Sequence, residues 1–222
     1  MVKERPILFS GEMVRVILEG RKTQTRRVLK PQPEFYHHGS KKVRIEGGCW
    51  YPKDKEEKSL HYATVAHFKK GMPIDFCPYG KVGDRLWVRE TWATLDFVIN
   101  KKDEIIYKTD FGYEHPPKII FGDGSEVEQN WKPSIHMPRW ASRILLDIIN
   151  IRVERLQEIT EEDAYLEGFT GDYSKDEDGI KNKHRSPVEV FADYWTALNA
   201  VRGFGWDVNP WVWVIEFRKG SQ

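Results

Sequence analysis

Trp211-Val212-Trp213-Val214-Ile215-Glu216-Phe217 has aromatic or β-branched residues at six of seven positions. Such a run is a strand. Ile144 to Leu156 is a second, longer strand region, with β-branched Ile148, Ile149, Ile151 and Val153. Arg85 to Trp92 is a third, in which Leu86 and Val88 alternate with Trp87 and Arg89 at the period of a strand. Ile7 to Phe9, Glu104 to Thr109 and the short Val43 to Ile45 complete the set.

Helices are few and short. Ser10 is placed to cap a helix over Glu12 to Glu19 whose apolar stripe is Met13, Val14, Ile17 and Leu18, with Gly20 at its end. Thr160-Glu161-Glu162-Asp163 opens a second, which Gly168 closes. Ser186-Pro187-Val188-Glu189 starts a third, running to about Leu198. About five or six strands with three short helices and no repeated βαβ unit predict an α+β fold, its mixed sheet curled into a β-barrel. The reading is one domain over residues 1–222, with insertions near 34–75, 93–135 and 170–185. The Asp172 to Arg185 segment is read as a mobile charged loop.

Hydrophobic residues make up 40% and charged residues 31% of the 222, with a net charge of +1, which excludes a generally basic nucleic-acid coat but not a basic face. No stretch approaches the ~20 apolar residues of a membrane span, and the N-terminus lacks a secretion-type apolar segment. The expectation is a cytoplasmic protein with no membrane partner. The two cysteines, Cys49 and Cys77, are then reduced. With His37, His38, His61 and His67 they lack the spacing of a zinc site, so no metal or cofactor is expected. A phosphate-binding glycine loop and a Gly-x-Ser-x-Gly elbow are also missing.

The chemistry concentrates after the first helix. Gly20-Arg21-Lys22-Thr23-Gln24-Thr25-Arg26-Arg27 places four cations and two threonine hydroxyls on what reads as a loop. Such a set suits a phosphate, a nucleobase or a developing oxyanion. Arg139, Trp140 and Arg143 form a second cation–aromatic group, able to stack a base and hold a phosphate, or else to cover a strand edge. Strand alternation puts Arg85, Trp87 and Arg89 on one face and Leu86, Val88 and Glu90 on the other, with Glu90 expected to tie down the basic loop.

Gly20-Arg21-Lys22-Thr23, Gly83-Asp84-Arg85-Leu86-Trp87-Val88-Arg89-Glu90, the Arg155 to Gly168 unit and the Trp211 to Phe217 strand, in that order, resemble an ASCH domain of the PUA-like superfamily. Met137-Pro138-Arg139-Trp140-Ala141-Ser142-Arg143 is similar to the longer ASCH proteins of phages and prophages. The resemblance implies a small β-barrel with a cleft rimmed by the loop after the first helix, and a nucleic acid or modified base as partner. Some small ASCH proteins are amidohydrolases of acylated cytidine with a proposed Lys, Thr and Glu. By motif those are Lys22, Thr25 and Glu167 here, although this chain is twice as long and carries large insertions.

The expectation is a basic polar cleft that recognises a nucleobase, modified nucleoside or single-stranded nucleic acid. Its contacts are drawn from Arg21, Arg26, Arg27, Arg85, Arg89, Glu90, Arg139, Trp140 and Arg143. One alternative is an amidohydrolase on an N4-acylcytidine-type nucleoside. In it Lys22 is the base or the oxyanion contact, Thr25 the nucleophile, and Glu167 the lysine's partner or a proton shuttle. Another is a phage-encoded protein-interaction module.

Overall fold

The computed structural model describes residues 2–30, 32, 77–94, 105–111, 119–120, 126–127, 130–175 and 181–220. The sequence expectations for Val43 to Ile45 and for Cys49, His37, His38, His61 and His67 lie outside them.

Five strands form the central sheet: β1 (Glu4–Leu8), β2 (Gln24–Val28), β3 (Arg85–Arg89), β8 (Leu145–Arg155) and β11 (Trp211–Lys219). Their order is β1-β3-β8-β11-β2. β1 runs parallel to β3, and every other pairing is antiparallel. β11 and β8 form the long central ladder, from Trp211 opposite Arg155 to Lys219 opposite Leu146, with a register shift between Glu216 and Phe217. Trp211 to Ile215 are buried without interruption. β11 therefore has apolar contacts on both faces, the physical reason its sequence shows a continuous run rather than alternation.

Helix α1 (Gly11–Leu18) is capped by Ser10, whose side chain accepts from the amide of Met13. Gly20, at φ 76°, takes the left-handed conformation that ends it. The three-residue strands β4 (Trp92–Thr94) and β5 (Ile105–Tyr107) pair with each other and lead into a single turn, α2 (Lys108–Phe111). β6 (Ile119–Ile120) pairs with β7 (Glu126–Val127). Helix α3 (Glu161–Leu166) is capped by Thr160 as expected, and Asp163 completes a capping box with it. Helix α4 (Pro187–Asn199) has one formed by Ser186 and Glu189. Val14 and Ile17 of α1, Leu86 and Val88 of β3, Leu146 of β8, Phe191 and Trp195 of α4 and Val214 of β11 belong to one core cluster. No helix among the described residues is long and apolar enough to cross a membrane.

The α+β class with a mixed sheet is the one expected, with three corrections. The sheet is not closed into a barrel. β1 and β2 are its two edges and share no described ladder. At the end of that gap Arg27 Nη2 donates to the carbonyl of Leu8 at 2.6 Å. Second, Gln24 to Val28 is not a loop but edge strand β2, paired with Val212 to Glu216. Its charged composition hides this, because backbone pairing to an apolar neighbour supplies what its own side chains do not. Third, Asp172 to Arg185 carries β9 (Asp172–Lys175) and β10 (Lys181–Arg185) as an antiparallel pair. Neither has an alternating apolar pattern to reveal it.

Candidate functional site

The seam between the two sheet edges holds a cavity of about 290 Å³. Its floor comes from the end of β1 and from β2, and α4 closes the opposite side. Phe191, Tyr194, Trp195 and Leu198 all line it, at the i, i+3, i+4, i+7 spacing of one helical face. Phe9 and Phe169 complete an aromatic wall. Phe169 packs 5.4 Å from Phe191 and 5.0 Å from Tyr194, ring centre to ring centre, and the Tyr194 hydroxyl lies 3.0 Å from Ser10 Oγ.

Lys22, Thr25 and Glu167 all face this cavity. The backbone places Lys22 there. After Gly20 the amides of Arg21 and Lys22 both donate to the carbonyl of Val16, folding the chain under the end of α1. The amide of Thr23 then donates to Leu166 O, and its carbonyl accepts from Phe217 N. This short segment is thereby tied to α1, α3 and β11 at once. On the other side the chain leaves α3 through Gly168, at φ 94°. A Cβ there would lie 2.6 Å from Val16 Cγ1 and 3.5 Å from Lys22 Cβ, so glycine is what lets Glu167 approach Lys22.

Lys22 Nζ donates to Glu167 Oε2 at 2.6 Å and to the Glu167 carbonyl oxygen at 2.7 Å. That carbonyl ends α3 and would otherwise lack an intrahelical partner. Both side chains are buried, with 2% and 4% exposed. Burial pushes the Lys22 ammonium below the ordinary lysine range; Glu167 pulls the other way, while Arg27 and Arg26 add to the lowering.

Arg26 is fully buried and engaged by acids: Glu154, Asp163 at 2.9 Å and Glu167 at 3.4 Å. Asp163 also accepts from Gln24 Nε2 at 3.0 Å and Arg152 Nη2 at 2.9 Å. Arg152 continues the network to Glu154 and Glu216. The positive charge that the sequence concentrates here is thus largely neutralised within the fold. Arg27 differs. Its guanidinium stacks 4.9 Å from the Phe9 ring and has no carboxylate partner among the described residues, while its Nε, like that of Arg26, is buried without an acceptor.

The other candidates lie elsewhere. Arg21 is exposed and paired with Glu19. Arg85 pairs with Asp147 at 2.9 Å, and Arg89 stacks 4.7 Å from Trp87. Arg139 bonds Glu4 at 2.6 Å, and exposed Trp140 meets Trp92 edge-on at 5.9 Å. Glu90 does not tie down the basic segment. Only 2% exposed, it accepts from Arg143 Nε at 2.9 Å and Nη2 at 3.0 Å and from Thr109 Oγ1 at 3.0 Å. Arg143 also binds Asp110 and lies 3.9 Å over Tyr107. None of these seven lines the cavity. The described residues contain no cluster of metal-binding side chains. Cys77 is buried, and burial pushes its thiol up to about 11, away from nucleophilic use.

The sequence reading missed the α4 face, together with Phe169, Asn199 and Arg202. The helical spacing of Phe191, Tyr194, Trp195 and Leu198 signals a buried face, but nothing local says that it covers a cavity. No protein family, curated protein or solved structure matches the chain.

Proposed function

We propose that the seam cavity binds a nucleobase or modified nucleoside. The carrying observation is the combination of an aromatic wall, formed by Phe9, Phe169, Phe191 and Tyr194, with a buried polar floor of Lys22, Thr25 and Glu167. A planar heterocycle needs both: apolar faces to stack on and convergent donors and acceptors for its edge. The volume of about 290 Å³ is at the lower limit of small-ligand sites and suits one base or nucleoside rather than a longer segment. The resemblance to ASCH domains points the same way, and the PUA-like relationship and the single-domain reading belong to this proposal. Calorimetric titration with the four ribonucleosides and N4-acetylcytidine tests it. Binding that Lys22→Met weakens at least tenfold supports the reading; no binding by any of them removes it.

A second reading is supported by Lys22 and Thr25 lining the same cavity, where burial lowers the lysine pKa. In it the neutral Lys22 amine takes the Thr25 hydroxyl proton, the oxygen attacks an acyl-amide carbonyl, and the nucleoside amine leaves with a proton. Water then hydrolyses the acyl ester. Deacylation of N4-acetylcytidine that Thr25→Val abolishes while binding persists supports this reading. No turnover across a panel of acylated nucleosides leaves binding alone.

A further inference from the structure

A second cavity, also about 290 Å³, adjoins the first and shares Arg27, Asn199 and Arg202 with it. Lys30, Tyr79 and Phe204 extend its lining. The three cations come from separate places: β2, the residues just after it, and the turn that follows α4. No described carboxylate lines the cavity, and no ion pair joins Arg27, Lys30 or Arg202 to a described acid. This contrasts with the floor of the first cavity, where Lys22 and Arg26 are both bound by carboxylates. Lys30 Nζ sits 5.4 Å from the Phe204 ring centre, which holds it at the cavity wall. Arg27 stands at the junction of the two cavities with a buried Nε–H that has no acceptor. The Nε of Arg5, Arg26 and Arg89 is unpaired in the same way and Arg27 Nη2 donates to the Leu8 carbonyl, so what sets Arg27 apart from Arg26 is the lack of a carboxylate partner among the described residues.

Resting on the nucleoside reading of the first cavity, we infer that the second is a phosphoryl subsite: Arg27, Lys30 and Arg202 hold the phosphate of a ligand whose base occupies the aromatic cavity. The ligand class is then a nucleoside phosphate, either a free nucleotide or one residue of a strand. Three cations with no competing anion among the described residues, two of them forked guanidiniums, match a phosphoryl group's charge and its several acceptor oxygens. Asn199 adds an amide donor able to reach either moiety.

The test is calorimetric titration of the full chain with each ribonucleoside, its 5′-monophosphate, the corresponding dinucleoside monophosphate, and inorganic phosphate. The variants are Lys30→Ala, Arg202→Ala and the double substitution. Lys30 and Arg202 are exposed, so the variants should fold, which circular dichroism checks. The wild type should bind a monophosphate or a dinucleotide roughly 10- to 100-fold more tightly than the nucleoside. The double variant should lose that advantage, and Lys30→Ala, which lines only the second cavity, should reduce it while keeping the nucleoside affinity. A stronger monophosphate places a terminal phosphate in the subsite; a stronger dinucleotide places a strand phosphodiester there. Phosphate binding that the double variant loses, with no nucleoside binding, keeps the subsite and removes the nucleoside reading. Equal affinity for nucleoside and phosphorylated forms, or an advantage that survives the double substitution, overturns the subsite and leaves the nucleoside reading standing. No binding of any probe removes both.

Discussion

Lys22 is held twice by Glu167: its Nζ donates 2.6 Å to the side-chain Oε2 and 2.7 Å to the carbonyl oxygen of the same residue. One acceptor depends on the side chain and the other on where α3 ends, so charge and backbone geometry fix the ammonium together.

Breaking a buried pair from one side leaves the other charge uncompensated. Glu167→Gln should cost about 3–5 kcal/mol in urea denaturation, since it removes the anion shared by Lys22 and Arg26. Lys22→Met should cost less, because Arg26 remains 3.4 Å from Glu167. The double substitution Lys22→Met, Glu167→Leu should recover part of the loss. Single substitutions each costing under about 1 kcal/mol would contradict burial of the pair.

Gly168→Ala introduces two separate penalties. The residue sits at φ 94°, and its new Cβ would meet Val16 Cγ1 at 2.6 Å. The left-handed backbone costs about 1–2 kcal/mol and the overpacking about 1–3. Adding Val16→Ala should relieve only the second. A thermal midpoint unchanged by Gly168→Ala would refute this account of the turn.

Stability should fall in acid partly through Asp163. Burial raises its pKa, but the Gln24 hydrogen bond and the charges of Arg26 and Arg152 outweigh that and hold it below its ordinary value of 3.8. A carboxylate with a lowered folded-state pKa binds fewer protons folded than unfolded. Its contribution is therefore present above 3.8 and is lost as pH falls below it. Asp163→Asn should flatten the acid limb of a stability–pH curve below about pH 4. An acid limb identical to that of the wild type would show that Asp163 does not carry it.

Arg143 separates structural from ligand-facing cations. It neutralises Glu90, a carboxylate only 2% exposed, and does not line the aromatic cavity. Arg143→Met should destabilise by about 3–5 kcal/mol while leaving nucleoside affinity unchanged. A loss of affinity without a loss of stability would place Arg143 in the site after all.

Local signals fixed much of this protein. Ser10, Thr160 and Ser186 cap helices because a short hydroxyl before the first turn satisfies free amides there, and no distant contact is needed. Gly20 and Gly168 mark helix ends for an equally local reason. The β-branched and aromatic runs of β8 and β11 announce strands because their own side chains supply the packing. The grouping of Lys22, Thr25 and Glu167 was implied by the resemblance to ASCH domains and not by a local signal; all three line one cavity.

The rest depended on partners distant in the chain. β2 is a strand because β11 pairs with it, and its own residues read as a basic loop. The open seam could not be foreseen, since closure depends on whether β1 and β2 pair, and among the described residues they share no ladder. The availability of each cation was likewise a tertiary matter. Adjacent Arg26 and Arg27 are the same residue type, yet strand alternation sends Arg26 to the carboxylates of Glu154 and Asp163 and leaves Arg27 between two cavities. Sequence by itself determined which groups this chain owns and where its helices start and stop, because those depend on near neighbours. Only the tertiary structure decided which charges are neutralised and which remain to meet a ligand; the acidic partners of Arg26, for one, lie more than 120 positions along the chain.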